Sequence, residues 1–329
     1  MEKEVVENLW NGNREMQIQA AMELRKLSRK QKHYLAESGI MVPLVSMLHS
    51  QDYEAIEAAL HALLSLAFGS ERNKTRIIKS GALPVLLSLL YCQSQTVAEL
   101  SIASMLTISS CNANKIAIAS SGAFPLLAQF LNSTSSTQSQ LDTVATLHNL
   151  STCQEITPLI VSSGVILSLL ELIQRTGKSS QLVEKAIGLL EHIVSSSESA
   201  LCEAASIVGT IPTLVETIED GSSQSKEHAV GTLLLICQSC REKYRGLILR
   251  EGVMPGLLQL SVDGTRRAKN LAKELLLLLR DCSSYSSSRS QQISHEHIER
   301  IMDEIYAERE ELAETTLKLV EDMVAKLNT

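Results

Sequence analysis

Aromatic side chains are scarce in this chain: phenylalanine, tyrosine and tryptophan make up 3% of its 329 residues. Its core must be built from leucine, isoleucine, valine and alanine, small enough for helices to pack at close range, and this points to an all-α protein rather than a typical globular enzyme. Long apolar runs are also missing. No stretch reaches about 18 uninterrupted apolar residues, the length of a membrane-spanning helix. The chain opens on Met1-Glu2-Lys3-Glu4-Val5, without the apolar centre of a secretory signal. Met1-Glu2 and the terminal Leu327-Asn328-Thr329 lack the myristoylation and prenylation signatures. No stable membrane insertion is expected.

A basic field is lacking too. The net charge is -7, and between Glu296 and Lys326 ten acids stand against Arg300, Arg309, Lys318 and Lys326, so most of the negative charge sits in that one segment. A nearly neutral remainder cannot neutralise a phosphate backbone, which excludes nucleic acid as the default partner. The seven cysteines are odd in number, and Cys92, Cys111, Cys153 and Cys237 sit in apolar helical patterns, where a free thiol acts as a small hydrophobe. A reducing compartment, cytoplasmic and/or nuclear, is the expectation.

Catalytic scaffolds are absent as motifs. There is no Gly-x-Gly-x-x-Gly, no Gly-Lys-Ser/Thr phosphate loop and no Gly-x-Ser-x-Gly elbow. Cys237-Gln238-Ser239-Cys240 has the spacing of half a zinc site, but no second pair completes four ligands. His295-Glu296-His297 puts its imidazoles on different faces of a helix, unlike an i, i+4 pair. The chain is read as a non-enzyme with no cofactor and no metal.

What the sequence does have is a repeat. Gly39, Gly81, Gly122, Gly164, Gly209 and Gly252 each open a Leu-rich run, five of the six followed by proline three or four residues on, at intervals of 41 to 45 residues. Each glycine follows a short helical segment such as Asn73–Ser80, where a left-handed residue or a close helix crossing is needed. Each proline falls in the first turn of the next helix, where its missing N–H costs nothing. After a polar break a third segment shows helical periodicity, as in 57–66 and 99–108. Three helices per period of about 42 residues fall in the armadillo range, and no unit could bury its apolar face alone. The expected fold is a right-handed α-solenoid of about six armadillo units.

The spacing divides the chain into an N-terminal capping partial repeat at 1–38, a solenoid at 39–281, a Ser-rich linker at 282–293 and an acidic amphipathic helix at 294–329. That helix carries an apolar stripe including Ile298, Ile305, Leu312 and Leu319, suited either to a partner or second copy or to packing on its own solenoid. The polar runs 132–140 and 195–199 are expected to lengthen helix–helix loops.

The Asn114–Ala123 segment, Leu147-His148-Asn149-Leu150-Ser151, and the ending Gly264-Thr265-Arg266-Arg267-Ala268-Lys269 resemble the plant armadillo proteins, which include the repeat arrays of plant U-box ubiquitin ligases. No segment here resembles a U-box. The resemblance implies a protein-binding scaffold or adaptor, or alternatively a regulatory or substrate-presenting component of the ubiquitin pathway.

In a solenoid the third helices line the inner face, which makes them the candidate groove for a partner polypeptide. Importin-α, similar in fold, uses a Trp row and an Asn row there; the matching positions here are His61, Ala103, Ala145, Gly188 and Gly231, and Ser65, Thr107, Asn149, His192 and Leu235. Asn149 alone keeps the importin residue. One turn earlier stand Glu57, Glu99, Glu184 and Glu227, which either favour a basic or hydrogen-bonding peptide or complement the positive ends of their helices. The candidate partner-binding set is therefore Glu57, His61, Ser65, Glu99, Thr107, Asn149, Glu184, His192 and Glu227.

Overall fold

The computed structural model describes residues 2–133 and 136–280, and these form twenty α-helices and one 3-10 turn with no strand among the described residues. The linker and acidic helix expected over 282–329 lie outside the described residues. A leading pair, α1 (Glu2–Asn11) and α2 (Arg14–Lys26), precedes six three-helix units. The first three are α3 (Arg29–Glu37), α4 (Met41–Met47) and α5 (Tyr53–Ala67); α6 (Glu71–Lys79), α7 (Ala82–Leu89) and α8 (Gln95–Ser109); and α9 (Asn112–Ser120), α10 (Ala123–Leu131) and α11 (Thr137–Ser151). The fourth has the 3-10 turn Gln154–Ile156 with α12 (Thr157–Val161), then α13 (Val165–Arg175) and α14 (Gln181–Ser196). The last two are α15 (Glu198–Ser206), α16 (Thr210–Asp220) and α17 (Ser223–Ser239), and α18 (Arg241–Arg250), α19 (Met254–Asp263) and α20 (Arg266–Leu279).

The third helices stack in order, α2 on α5, then α8, α11, α14, α17 and α20, and one buried apolar core runs from Val5 to Leu279. The chain is thus an all-α right-handed solenoid in which each unit completes its core against its neighbours. Among the described residues no single helix is long and apolar enough to cross a membrane.

Local chemistry explains the joints. Between first and second helices the repeated glycines have positive φ, from +74° at Gly252 to +97° at Gly209. At Gly81, with φ +83°, an added Cβ would meet nothing within 4 Å. Of the two demands considered from sequence, a left-handed residue and a close crossing, this joint imposes the first. Gly81→Ala should therefore cost about 1–2 kcal/mol from backbone conformation alone, and Gly81→Asn less. Urea unfolding measures it; an alanine variant as stable as the parent would contradict this account of the joint.

The prolines fall in first turns as expected, with Pro43 third in α4, Pro84 in α7, Pro125 in α10 and Pro212 in α16, and Pro255 second in α19. The fourth unit has its proline in the first helix instead, where Pro158 follows the 3-10 turn and α12 is only five residues long.

Every third helix begins at a polar cap. Asn13, Asp52, Ser94, Ser136, Ser180, Ser222 and Thr265 each accept a backbone N–H of the first turn. This capping shortens the two polar runs expected as long loops. Helix α11 already begins at Thr137, and Ser195 and Ser196 finish α14 while Ser197 caps α15.

First helices tie successive units together. Buried Asn73 donates its Nδ2 to the Leu66 carbonyl at 2.8 Å, and Asn114 repeats this on Ile108 at 3.0 Å. The next residue reaches the end of the third helix of its own unit: Lys74 Nζ donates to Ser110 Oγ at 2.8 Å and Lys115 Nζ to Thr152 Oγ1 at 2.6 Å. Ser110 and Thr152 cap the C-termini of α8 and α11, so each lysine also meets the negative end of a helix.

Candidate functional site: the third-helix ladder

Positions 57, 61 and 65 of α5 recur as 99, 103 and 107 of α8, 141, 145 and 149 of α11, 184, 188 and 192 of α14, and 227, 231 and 235 of α17. All are half-buried except Gly231, which is buried. A four-residue period keeps them on one helix face. The structure therefore gathers the expected positions into one partly accessible stripe along successive third helices.

Their chemistry differs along the stripe. Among the described residues Glu99 accepts from its own helix alone, from Gln95 Nε2 at 3.0 Å. Glu184 accepts from Ser222 Oγ at 3.0 Å and lies 3.3 Å from Lys185 Nζ. Glu227 accepts from Thr265 Oγ1 and from Arg267 Nη1, the latter at 3.2 Å. Ser222 and Thr265 cap the next third helix, so Glu184 and Glu227 fasten one unit to the following one, in addition to the two roles considered from sequence.

The Asn row is also largely committed. Asn149 Nδ2 donates to Ser109 Oγ at 3.1 Å and to the Leu106 carbonyl at 3.4 Å, tying α11 to α8. Thr107 Oγ1 donates to the Ala103 carbonyl of its own helix at 2.9 Å. His192 packs its ring against His148, centroids 5.4 Å apart, and its buried Nε2 has no hydrogen-bond partner among the described residues. Ser65 borders a cleft shared with Arg29, Lys32 and Phe68.

At the two glycines of the importin Trp row, neighbouring side chains fill the space. An added Cβ on Gly231 would stand 2.0 Å from Glu191 Oε1, and one on Gly188 would stand 3.2 Å from His228 Nε2. Each of α14 and α17 thus receives the other's polar side chain on its glycine.

These side chains form a network that sequence reasoning missed. Glu191 is 8% exposed, accepts from His228 Nδ1 at 2.7 Å, and accepts from Arg267 at 2.5 and 3.3 Å. Burial pushes the Glu191 carboxyl up, but the hydrogen bonds from His228 and Arg267 outweigh it and hold it below its ordinary value. The signal was a glycine in mid-helix, which is costly unless something must lie over it. The Cys237–Cys240 pair does not share a site: Cys237 is buried and Cys240 exposed.

His61 of the ladder and His148, the ring neighbour of His192, carry a pH dependence. Burial pushes His61 down, Arg25 adds to this and Glu57 opposes it; burial pushes His148 down, with His192 and Lys115 adding to it. Both folded values lie below the ordinary 6.5, so the unfolded chain takes up protons first. The stability they contribute is complete above the unfolded value and is lost as pH falls from there through the folded values. The melting temperature should decline on acidification across this range, and the decline should be shallower in His61→Asn/His148→Asn; a variant with the parent's pH profile would contradict the assignment.

Comparison with known proteins gives matches at the level of repeats. The family description "Plant U-box protein ARM repeat region" matches residues 114–299, and "Kinesin-associated protein (KAP)" matches residues 2–193. No curated protein matches the chain. Among solved structures, an engineered protein is similar at 24% identity and TM-score 0.70, covering 84% of this chain and 67% of its own. A designed armadillo repeat protein is similar at 20% identity and TM-score 0.53, covering 84% of this chain and 98% of its own. Another, solved in complex with the peptide (KR)4, is similar at 18% identity and TM-score 0.52 with the same two coverages.

Proposed function

Because the chain belongs to the armadillo-repeat family, of the type found in the repeat region of plant U-box proteins, we propose that it is a scaffold that seats a partner polypeptide on its third-helix ladder. The observation that carries this reading is the stripe of partly accessible positions repeated on five successive third helices, an extended surface rather than an enclosed pocket. The peptide held by one designed armadillo protein supports such a surface as a seat for an extended chain.

Glu57, Glu99, His61 and His192 of the ladder, with His148 beside His192, are the polar groups proposed to meet the partner. Glu184, Glu227 and Asn149 are assigned to joining units, since their neighbours already engage them. The distinction makes a test. Glu57→Lys/Glu99→Lys should weaken partner capture about five- to tenfold with the melting temperature unchanged, as expected for accessible interface charges. Undiminished capture by that variant would remove the ladder's carboxylates from the binding surface.

The family relation favours one second reading, a substrate-presenting or regulatory role in the ubiquitin pathway. Co-purification with ubiquitin-conjugating components would support it, and their absence from a purified, partner-loaded complex would count against it.

A further inference from the structure

From Arg25 to His33 the chain carries five lysines and arginines and no acid, within a protein of net charge -7. The fold wraps this run around the α2–α3 turn and sets it against the α5–α6 turn. There Arg29, Lys32 and His33 share a cleft of about 290 Å³ with Ser65, Phe68 and Ser70. Arg29 Nη2 donates to the Gly69 carbonyl and Lys32 Nζ to the Arg25 carbonyl, both at 3.1 Å. Carbonyl acceptors orient these cations without neutralising them. The nearby acid Glu37 is shared among Arg72, Arg76 and His33, at 3.3, 3.5 and 3.8 Å. Beside the cations stands Phe68, 86% exposed at the C-terminal cap of α5.

We propose that this cleft docks a carboxylate-rich peptide segment of a partner protein. Its acidic side chains meet Arg29, Lys32 and His33, and an adjacent apolar side chain rests on the Phe68 ring. Charge complementarity selects the acidic partner. A peptide suits the shape better than a nucleic acid does, because the positive charge is gathered in one small cleft rather than along a track that could follow successive phosphates. The proposal goes beyond the ladder reading: the cleft lies at the edge of the stripe, and its occupant need not be the ladder's partner.

Fluorescence anisotropy on the full chain tests it with three labelled probes: a Glu/Asp-rich peptide containing one leucine, its Gln/Asn counterpart, and a single-stranded oligonucleotide of equal length. The acidic peptide should bind at least about tenfold more tightly than the neutral one and weaken several-fold as salt rises from about 0.05 to 0.3 M. Phe68→Asp and Lys32→Glu should each weaken it by about tenfold or more. Because Phe68 is so exposed, Phe68→Asp should keep the parent's melting temperature, so that lost binding is not lost folding. Glu57→Lys/Glu99→Lys should leave this binding in place, separating its failure from that of the ladder. Equal affinity for the neutral peptide, indifference to both cleft variants, or preference for the oligonucleotide would overturn the proposal.

Discussion

Phe124→Ala is expected to cost about 3–5 kcal/mol and to broaden or split the unfolding transition. The ring is 2% exposed on α10, a helix that packs on α9, α11 and α13, so truncation opens a cavity beside the joint between the third and fourth units. In a solenoid each unit is held by its neighbours, and weakening one central joint uncouples the units before it from those after it. Calorimetry reads both effects. A single transition displaced by less than about 1 kcal/mol would mean that the Phe124 ring does not hold this joint together.

Glu191→Ala should cost about 2–4 kcal/mol, at the low end of what breaking a buried ion pair produces because the Arg267 side chain is 48% exposed. The carboxylate is the common acceptor for His228 on α17 and Arg267 on α20, so its removal leaves two donors with less than they had. Glu191→Gln keeps the shape and should lose roughly half as much. The double variant Glu191→Ala/Arg267→Ala should lose less than the two single losses added together. The Glu191 carboxyl is held below its ordinary 4.5, so its contribution is fully present above that pH and is lost as pH falls through the folded value. Urea titrations at neutral pH and in mild acid measure both. An Ala variant with the parent's stability would show that the network is ornamental to the fold.

The fold was legible because its signals are local. Gly81 with Pro84 marks a joint by backbone geometry alone, and a polar break such as the one before α8 separates the second helix from the third. Loop lengths were less legible, since 132–140 and 195–199 read as polar runs while their serines were capping helices. At the ladder, periodicity placed Glu57, Glu99, Glu184 and Glu227 at matching places on their helices. It could not say which carboxylates a neighbour would take. Glu184 and Glu227 meet hydroxyls 38 residues ahead, and Glu191 meets an arginine 76 residues ahead, contacts fixed only when three units stack. The acidic helix expected over 294–329 lies outside the described residues.

The most direct measurement of the central claim is site-specific photo-crosslinking in the full chain. A photoreactive side chain at Ser65, Thr107 or His192 samples the ladder, and one at Leu167 on α13 or Leu247 on α18 samples exposed positions on a second and a first helix. The account predicts that all three ladder positions capture one and the same partner and that the two control positions do not. Capture from Leu167 and Leu247 with none from the ladder would contradict it.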